Sequence, residues 1–371
     1  MHDPERLLGI KGFTYWLACY HLLICVIFTL YIAQHGGDAK GYWEMTADQS
    51  RGSQTWMEHF GTRTFFMQWL NYPFSQILGL PFWLGNLLYA LASLWAMLKL
   101  YAVAHRVLML HNPTPAMVSL LQGVMFLPNL HFWTAGIGKE ALAFMGLVLY
   151  ILSWNHSKSA FWILVMGIGL SWMVRPLQGA VMLIFVPFWL VQSAYSMRVK
   201  QGIGIILLGL SLPAFLYILS ISQVKELSLQ GFMAFFEQHQ AFLSGFQAGS
   251  HVPMEEYSSI QKIITFWLRP FVWEARGFWQ VMAALENVLI AVAIAMMCIS
   301  IWFKTYPNYF WPFWMISMIM GLFYSFSLNI LGIMMRMKSI YTIFIFFGFV
   351  WGVNMLWNLY LTKSARKPTS I

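Results

Sequence analysis

Long uninterrupted apolar runs dominate the chain, and polar residues collect between them. About 20 apolar residues in a helix cross the hydrocarbon core of a bilayer, so runs of this length predict transmembrane helices. The pattern predicts about ten, near residues 12–33, 81–104, 114–135, 140–154, 159–174, 177–196, 202–221, 279–303, 308–330 and 339–361. The chain is therefore predicted to be an all-α polytopic membrane protein, with residues 1–371 in a single integral membrane domain.

The fourth and fifth runs are shorter than the others, at about 15 residues each. A helix normally needs roughly 17 to 25 residues to span a bilayer. The two runs could form a tight helical hairpin or one re-entrant element. The prediction therefore covers nine to eleven spans.

Two long polar segments interrupt the apolar pattern, at about residues 34–80 and 222–278, and they carry most of the acidic residues. Residues 65–70 form an aromatic amphipathic run that stops at Tyr72 and Pro73. Such a run is typical of a helix lying in the headgroup layer. Both segments are predicted to be outer loops containing short interfacial helices.

Charge placement predicts the orientation of the chain. Hydrophobic residues make up 59%, charged residues only 9%, and the formal net charge is +9. On one side, basic residues occupy short loops and tails with few acids, so the positive-inside rule makes that side and both termini cytoplasmic. A bacterial inner membrane is the predicted location. The positive charge then reflects topology and contact with membrane lipids, and no nucleic-acid partner is predicted.

Asp38 directly follows the first apolar run, in the sequence Gly-Gly-Asp-Ala-Lys-Gly-Tyr-Trp. A short helix starting after Gly37 would place Asp38 and Tyr42 on one face, because they are four residues apart. The helix dipole favours a carboxylate in the first turn, so Asp38 could be a cap or a solvated loop acid. The alternative is a general base at the membrane surface, with Trp43 beside it.

Three further positions place charge at the ends of apolar runs. Lys139 and Glu140 open the fourth run, Arg175 precedes Pro176 between two runs, and Arg336 with Lys338 links the last two. Glu140 could simply complement a helix N-terminus. The arginines could snorkel to lipid headgroups, or they could bind phosphate, which the planar guanidinium fork matches well.

The segment 266–276 combines aromatic and charged residues, including Arg269, Trp273 and Glu274. Tryptophan faces can stack on sugars, but interfacial tryptophans are usually membrane anchors. Glu286 lies in the next apolar run and should face the interior or pair with a basic residue.

Other common chemistries lack sequence support. The histidines are scattered without metal-ligand spacing, and no P-loop, dinucleotide fingerprint or Gly-x-Ser-x-Gly elbow is present. The three cysteines lie inside apolar runs and form no disulfide framework.

The first-loop acid, the Gly-Lys-Glu hairpin, the Arg-Pro pair and the late arginine together resemble the GT-C superfamily of membrane glycosyltransferases. This resemblance implies transfer of a sugar from a polyprenyl-phosphate-linked donor to a glycan or lipid-linked acceptor at the outer membrane face, in cell-envelope polysaccharide biosynthesis. It implies Asp38 as the catalytic base, with Glu140 as a second outer-loop acid. Arg336, Lys139 and Arg175 would hold the lipid phosphate, while Tyr42, Trp43, Arg269, Trp273 and Glu274 would frame the substrates.

Two alternatives remain open at this point. The O-antigen and exopolysaccharide polymerases share a similar layout, and a lipid-linked sugar transporter or flippase would belong to a different class. A transporter should carry charges on broken helices near the bilayer midplane. No cofactor is assigned; a divalent cation is possible, but no second acid accompanies Asp38 in an Asp-Asp or Glu-x-Asp pair, so no metal ligand is assigned either.

Overall fold

The computed structural model describes residues 4–111, 113–155, 160–222, 228–246, 248–303 and 309–365. Over these residues the backbone is helical, without a β-strand, and a single antiparallel bridge joins His251 to Ile330. The α-helices are α1 Pro4–His35, α2 Asp38–Trp43, α3 Thr64–Tyr72, α4 Phe82–Met109, α5 Pro115–Val124, α6 Pro128–Thr134, α7 Lys139–Leu152, α8 Ala160–Val174, α9 Pro176–Ile184, α10 Val186–Gln192, α11 Met197–Ser222, α12 Leu229–Ser244, α13 Ser259–Leu268, α14 Phe278–Trp302, α15 Trp311–Ser327 and α16 Leu331–Ala365.

Among the described residues, fewer helices than predicted have the length and apolarity to cross a membrane. Four segments do, namely Gly12–His35, Phe82–Met109, Phe278–Trp302 and Leu331–Asn358. The pair α6 and α7, bent by 108°, meets the same test when taken as one span, which gives five at most. The structure is thus all-α and compatible with a membrane protein, but it does not support about ten spans.

Part of the difference arises because two of the apolar runs contain helix breaks that hydropathy does not register. The run 114–135 divides into α5 and α6, and Pro128 begins the second helix. The run 177–196 divides into α9 and α10, again with a proline in the first turn of the second helix. Proline lacks an N–H to donate and clashes with the preceding turn, so it starts a new helix rather than extending one.

Helices α7 and α8 correspond to the two short runs and pack tightly together. Gly146 and Gly167 lie at their contact, where a Cβ on Gly167 would come 2.7 Å from the backbone N of Tyr150. This close approach requires glycine and produces a helical hairpin, one of the two predicted arrangements. The link at residues 156–159 lies outside the described part of the chain.

Both long polar segments contain short helices, as predicted. The first includes α2 and α3, and α3 ends at Tyr72 as the aromatic run indicated. The second includes α12 and α13, and α13 begins with a capping box formed by Ser258 and Gln261.

The core is centred on α7, whose residues are almost all buried. Helix α7 packs against α4, α6, α8 and α16, and α16 in turn packs against α14 and α15. This packing brings the N-terminal ends of α2, α7 and α9 close to the second turn of α16.

The prediction that Arg336 and Lys338 link the last two apolar runs is wrong. Helix α16 begins at Leu331, so both residues lie within it and inside a segment long enough to span a membrane. Charges are costly in such a helix unless they are paired or hydrogen-bonded. Both are: Arg336 pairs with carboxylates and Lys338 donates to carbonyl oxygens.

Candidate functional site

The turn between α1 and α2 positions Asp38. Gly36 and Gly37 have φ values of 73° and 132°, in a region that favours glycine, and they turn the chain sharply after His35. Asp38 is then the first residue of α2, and Tyr42 follows one turn later with its side chain buried. The predicted short helix with both residues on one side is therefore present.

The sharp turn between α6 and α7 positions Lys139 and Glu140. Ile137 N donates a hydrogen bond of 2.9 Å to Asn86 Oδ1, which fixes the turn against α4. A Cβ on Gly136 would lie 2.9 Å from the same oxygen, so the turn needs a residue without a side chain. Glu140 is only 1% exposed, in the first turn of α7.

Arg175 lies at the break between α8 and α9 and reaches back to α7. Its Nη2 donates to Glu140 Oε1, and its Nη1 donates to the hydroxyl of Tyr324 at 3.2 Å. Arg175 and Glu140 thus form a buried ion pair between residues 35 positions apart in the sequence.

Arg336 bridges the two acids. Its Nη1 donates to Asp38 Oδ2 at 2.6 Å, and its Nε lies 2.7 Å from Glu140 Oε1. The Nε contact is a charge contact, since Nε lacks an aligned hydrogen bond. We call Asp38, Glu140, Arg175 and Arg336 the ionic cluster. Its two carboxylates and two guanidinium groups balance in formal charge.

The ionic cluster borders a cavity of about 1110 Å³. The polar part of its lining also includes Tyr42, Arg63, Lys139 and His239. The rest of the lining is largely apolar and comes mainly from α12 and α15, including Phe232, Phe235, Phe236, Phe242, Leu243, Phe246, Phe323 and Leu328. The cavity is therefore amphiphilic, with charges and an aromatic wall in one space.

Tyr42 and Lys139 connect the ionic cluster to the polar segment 34–80. Lys139 Nζ donates to Thr64 Oγ1 at 3.1 Å and lies 5.4 Å from the centre of the Tyr42 ring. Burial, and then the nearby Asp38 carboxylate, raise the pKa of Tyr42 well above its usual value. The Tyr42 hydroxyl therefore remains protonated at neutral pH.

Arg63 and the aromatic face of α12 line the cavity but were missed by the sequence analysis. The signal for α12 was present: aromatic residues at 232, 235, 236, 242 and 246 recur at helical spacing. Arg63 gave no signal, because its place beside α8 depends on a long-range hydrogen bond from its N–H to Met173 O at 2.7 Å.

Four of the residues predicted to frame the substrates do not line this cavity. Trp43 is buried against Gly85 of α4 and acts as packing. Arg269 and Glu274 pair with each other at 2.9 Å, and Trp273 is 80% exposed with its ring stacked on Phe271. Trp43 is hidden by the packing of α2 on α4, and the other three form a local loop structure.

Lys338 and Glu286 occupy a separate buried polar region. Lys338 Nζ donates to Asn287 Oδ1 at 2.8 Å and to the carbonyl oxygens of Trp267 at 2.9 Å and Phe266 at 3.2 Å. Glu286 Oε2 accepts from Asn129 N at 3.0 Å, so this acid does face the interior. These contacts tie α13 and α14 to α16 and leave Lys338 outside the cavity.

Within the described ranges, no group of three His, Cys, Asp or Glu residues has the geometry to hold a metal ion. The two acids of the ionic cluster meet at Arg336, so a cation between them would have to displace a guanidinium group. The described residues around the cavity do not fit a divalent cation.

Comparison with known proteins gives no assignment. No family model, curated protein or solved structure matches this chain.

Proposed function

We propose that this protein is a membrane glycosyltransferase, similar to the GT-C superfamily, that uses a polyprenyl-phosphate-linked sugar. The observation that carries the proposal is the accessibility of Asp38 beside the amphiphilic cavity. Asp38 is 59% exposed and held by Arg336, whereas Glu140 is 1% exposed and engaged by both arginines. One carboxylate is thus free to meet a substrate, and the other organises the cluster.

The proposed reaction assigns Asp38 the role of general base. The acceptor hydroxyl oxygen attacks the anomeric carbon of the donor while its proton passes to Asp38. The bond between that carbon and the phosphate oxygen breaks, and its electron pair leaves with the lipid phosphate. Cations around the cavity stabilise the charge that develops on the phosphate. Arg336 orients the Asp38 carboxylate through the 2.6 Å hydrogen bond.

The proposed setting is the outer face of a bacterial inner membrane, with both termini cytoplasmic. In support, Arg336 lies only five residues into its 28-residue spanning segment, about 8 Å along the helix at a rise of about 1.5 Å per residue. The ionic cluster is therefore near one end of that segment. Cysteine labelling of intact cells tests the setting: a cysteine at Asp48 should react from outside, and one at Lys200 should react only after permeabilisation. The reverse pattern would reject it.

Asp38→Asn tests the catalytic assignment. The amide keeps the shape of the side chain but cannot take the proton, so transfer should fall by roughly 10²- to 10⁴-fold. The assay uses the purified protein with a lipid-linked sugar donor and an acceptor glycan. Asp48→Asn is the matched control, because Asp48 lies in the same outer segment and accepts a hydrogen bond from Ser50 N away from the cavity lining. Normal transfer by Asp38→Asn would leave Asp38 only as the ion-pair partner of Arg336 in the first turn of α2.

A polymerase would use the same site with a lipid-linked acceptor, and acceptor chain length in the same assay separates it from a single-sugar transferase.

A transporter has one observation in its favour. Charges lie beside two breaks, between α6 and α7 and between α8 and α9, as broken-helix transporters require. Proteoliposomes loaded with a lipid-linked sugar and lacking an acceptor test it, since movement of the lipid across the bilayer without transfer would favour transport.

A further inference from the structure

The ionic cluster leaves two cations of the cavity without a carboxylate partner. Arg175 and Arg336 are engaged by Glu140 and Asp38, which neutralise them. Arg63 and Lys139 line the same cavity, and in the part of the chain that is described neither has an acidic group within ion-pair distance. Lys139 has the Thr64 hydroxyl as its hydrogen-bond partner. In formal charge, the basic groups of the cavity that no acid matches are therefore Arg63 and Lys139.

The backbone at Arg63 is held in an unusual conformation that keeps this residue at the cavity. Its φ is 62° and its ψ is −122°, a region that residues other than glycine rarely adopt. The N–H of Arg63 donates to Met173 O near the end of α8, two residues before Arg175. Strained backbone of this kind persists when surrounding contacts enforce it, and it is common at ligand sites.

The aromatic wall begins beside these cations. The cavity is lined at helical spacing by Phe232, Phe235, Phe236, His239 and Phe242 of α12, and by Phe246 two residues beyond the end of that helix. Burial, and then the charge of Arg63, lower the pKa of His239, so this ring is neutral at neutral pH and adds no further positive charge to the cavity. The exposed fractions of Phe242 and Phe246 are 64% and 59%, which leaves this wall open to an apolar ligand.

We propose that Arg63 and Lys139 bind the phosphate of a single-chain lipid phosphate, whose apolar chain lies along the aromatic wall of α12. The inference rests on the proposed function and specifies its donor: Arg63 joins the site, while Arg175 and Arg336 hold the two acids rather than the phosphate. A cationic end and an aromatic wall in one cavity match a ligand with an anionic head and an apolar tail. Neither an uncharged lipid nor a free phosphate ion uses both parts.

Competition binding with the full chain in phosphatidylcholine nanodiscs tests the proposal. A benzophenone-labelled farnesyl phosphate is the photo-crosslinking probe, and farnesyl phosphate, farnesol and inorganic phosphate are the competitors. Farnesyl phosphate should compete at least about tenfold better than either fragment, because only it engages both parts. Crosslinked peptides should come from α12. Equal competition by inorganic phosphate would indicate a free-anion site, and equal competition by farnesol a purely apolar groove; each result overturns the proposal.

Variants separate the two halves of the site. Arg63→Gln should weaken the binding of farnesyl phosphate about tenfold, since one charged hydrogen-bonding group is lost. The binding of farnesol should be unchanged. Phe235→Ala should weaken the binding of both farnesyl phosphate and farnesol. Arg63→Gly removes the charge while suiting the positive φ, so it should lose binding without losing thermal stability. Arg51→Gln is the matched control, because Arg51 stacks on Phe65 in the same segment and does not line the cavity.

Binding and transfer measurements together distinguish an error in the phosphate site from an error in the proposed transferase function. Asp38→Asn should not weaken the binding of farnesyl phosphate, because Asp38 acts on the acceptor and its replacement removes a negative charge from the cavity. If Arg63→Gln binds normally while wild-type protein transfers sugar in an Asp38-dependent way, the phosphate site is wrong and the transferase stands. If Arg63 governs binding but no transfer occurs, the lipid site stands and the transferase proposal fails.

Discussion

The chain contains two Arg-Pro pairs that look alike in sequence and have different surroundings in the structure. Arg175 is 7% exposed and pairs with Glu140, 35 residues away, at the cavity. Arg269 is 19% exposed and pairs with Glu274, five residues away, in a loop. The long-range pair joins α7 to the start of α9, and Arg336 of α16 contacts the same Glu140, whereas the local pair stabilises a single turn of the loop. The shared Arg-Pro dipeptide does not distinguish the cavity arginine from the loop arginine. The number of residues between each arginine and its acidic partner does.

The largest expected effect is at Glu140. Glu140→Gln leaves two largely buried arginines without one of their acids, and an unpaired buried charge typically costs about 3–5 kcal/mol. The variant should lose that much stability in denaturant titration in mixed micelles, and it should lose transfer. Glu274→Gln is the control and should lose no more than about 1 kcal/mol, because its partner is partly exposed. Equal losses in both variants would contradict the distinction between the two pairs.

The sequence predicted the helical class and the local features well because these depend on nearby residues. The turn at Gly36 and Gly37 and the short helix after it follow from local spacing, whereas the hairpin of α7 and α8 was one of two arrangements left open. The predicted span count exceeds what the described residues support, in part because hydropathy averages over the prolines that divide two of the runs. The sequence predicted a loop at Arg336 because a charged residue indicates the end of an apolar run. Its distant acidic partners, which allow it to lie inside a helix, cannot be recognised from the sequence.

The candidate site itself was only partly visible in the sequence. Charges at the ends of runs identified Asp38, Lys139, Glu140, Arg175 and Arg336, which the structure places around one cavity. The same reasoning also selected Arg269 and Trp273, because charge and aromatic content do not reveal which loop faces a cavity. The catalytic and binding roles of the five residues around the cavity stay predictions.

Arg336 should give the next largest effect, because it contacts both acids of the ionic cluster. Arg336→Lys keeps the charge but cannot reach Asp38 and Glu140 together through a planar fork. One lost charged hydrogen bond costs about 1.5–3 kcal/mol, so transfer should fall by at least about tenfold. Transfer by Arg336→Ala should fall further than transfer by Arg336→Lys. Rates measured across donor and acceptor concentrations check this. Wild-type rates in both variants would remove Arg336 from the site.

Lys338 tests whether a buried cation near the cavity differs from one inside it. Lys338→Met leaves acceptors of α13 and α14 without a donor, at a cost of about 1–3 kcal/mol of stability. The apparent affinity for the lipid donor should stay within about twofold of wild type where the variant remains folded, since a change of 0.4 kcal/mol is about twofold. Unfolding in mixed micelles and donor titration measure the two effects. A large loss of donor affinity with unchanged stability would place Lys338 in the site.

The smallest effect should come from the local pair, measured by a double-mutant cycle. Arg269→Gln, Glu274→Gln and the double variant should give a coupling energy of about 0–1 kcal/mol, because both side chains keep contact with water and can be hydrated when separated. The matching cycle on Arg175 and Glu140 should give a clearly larger coupling, because both side chains are largely buried. Transfer should be unchanged in both single loop variants, since neither residue lines the cavity. A drop of tenfold or more in Arg269→Gln, at unchanged stability, would show that the loop reaches the substrate during the reaction and would restore the substrate-framing role predicted for it from the sequence.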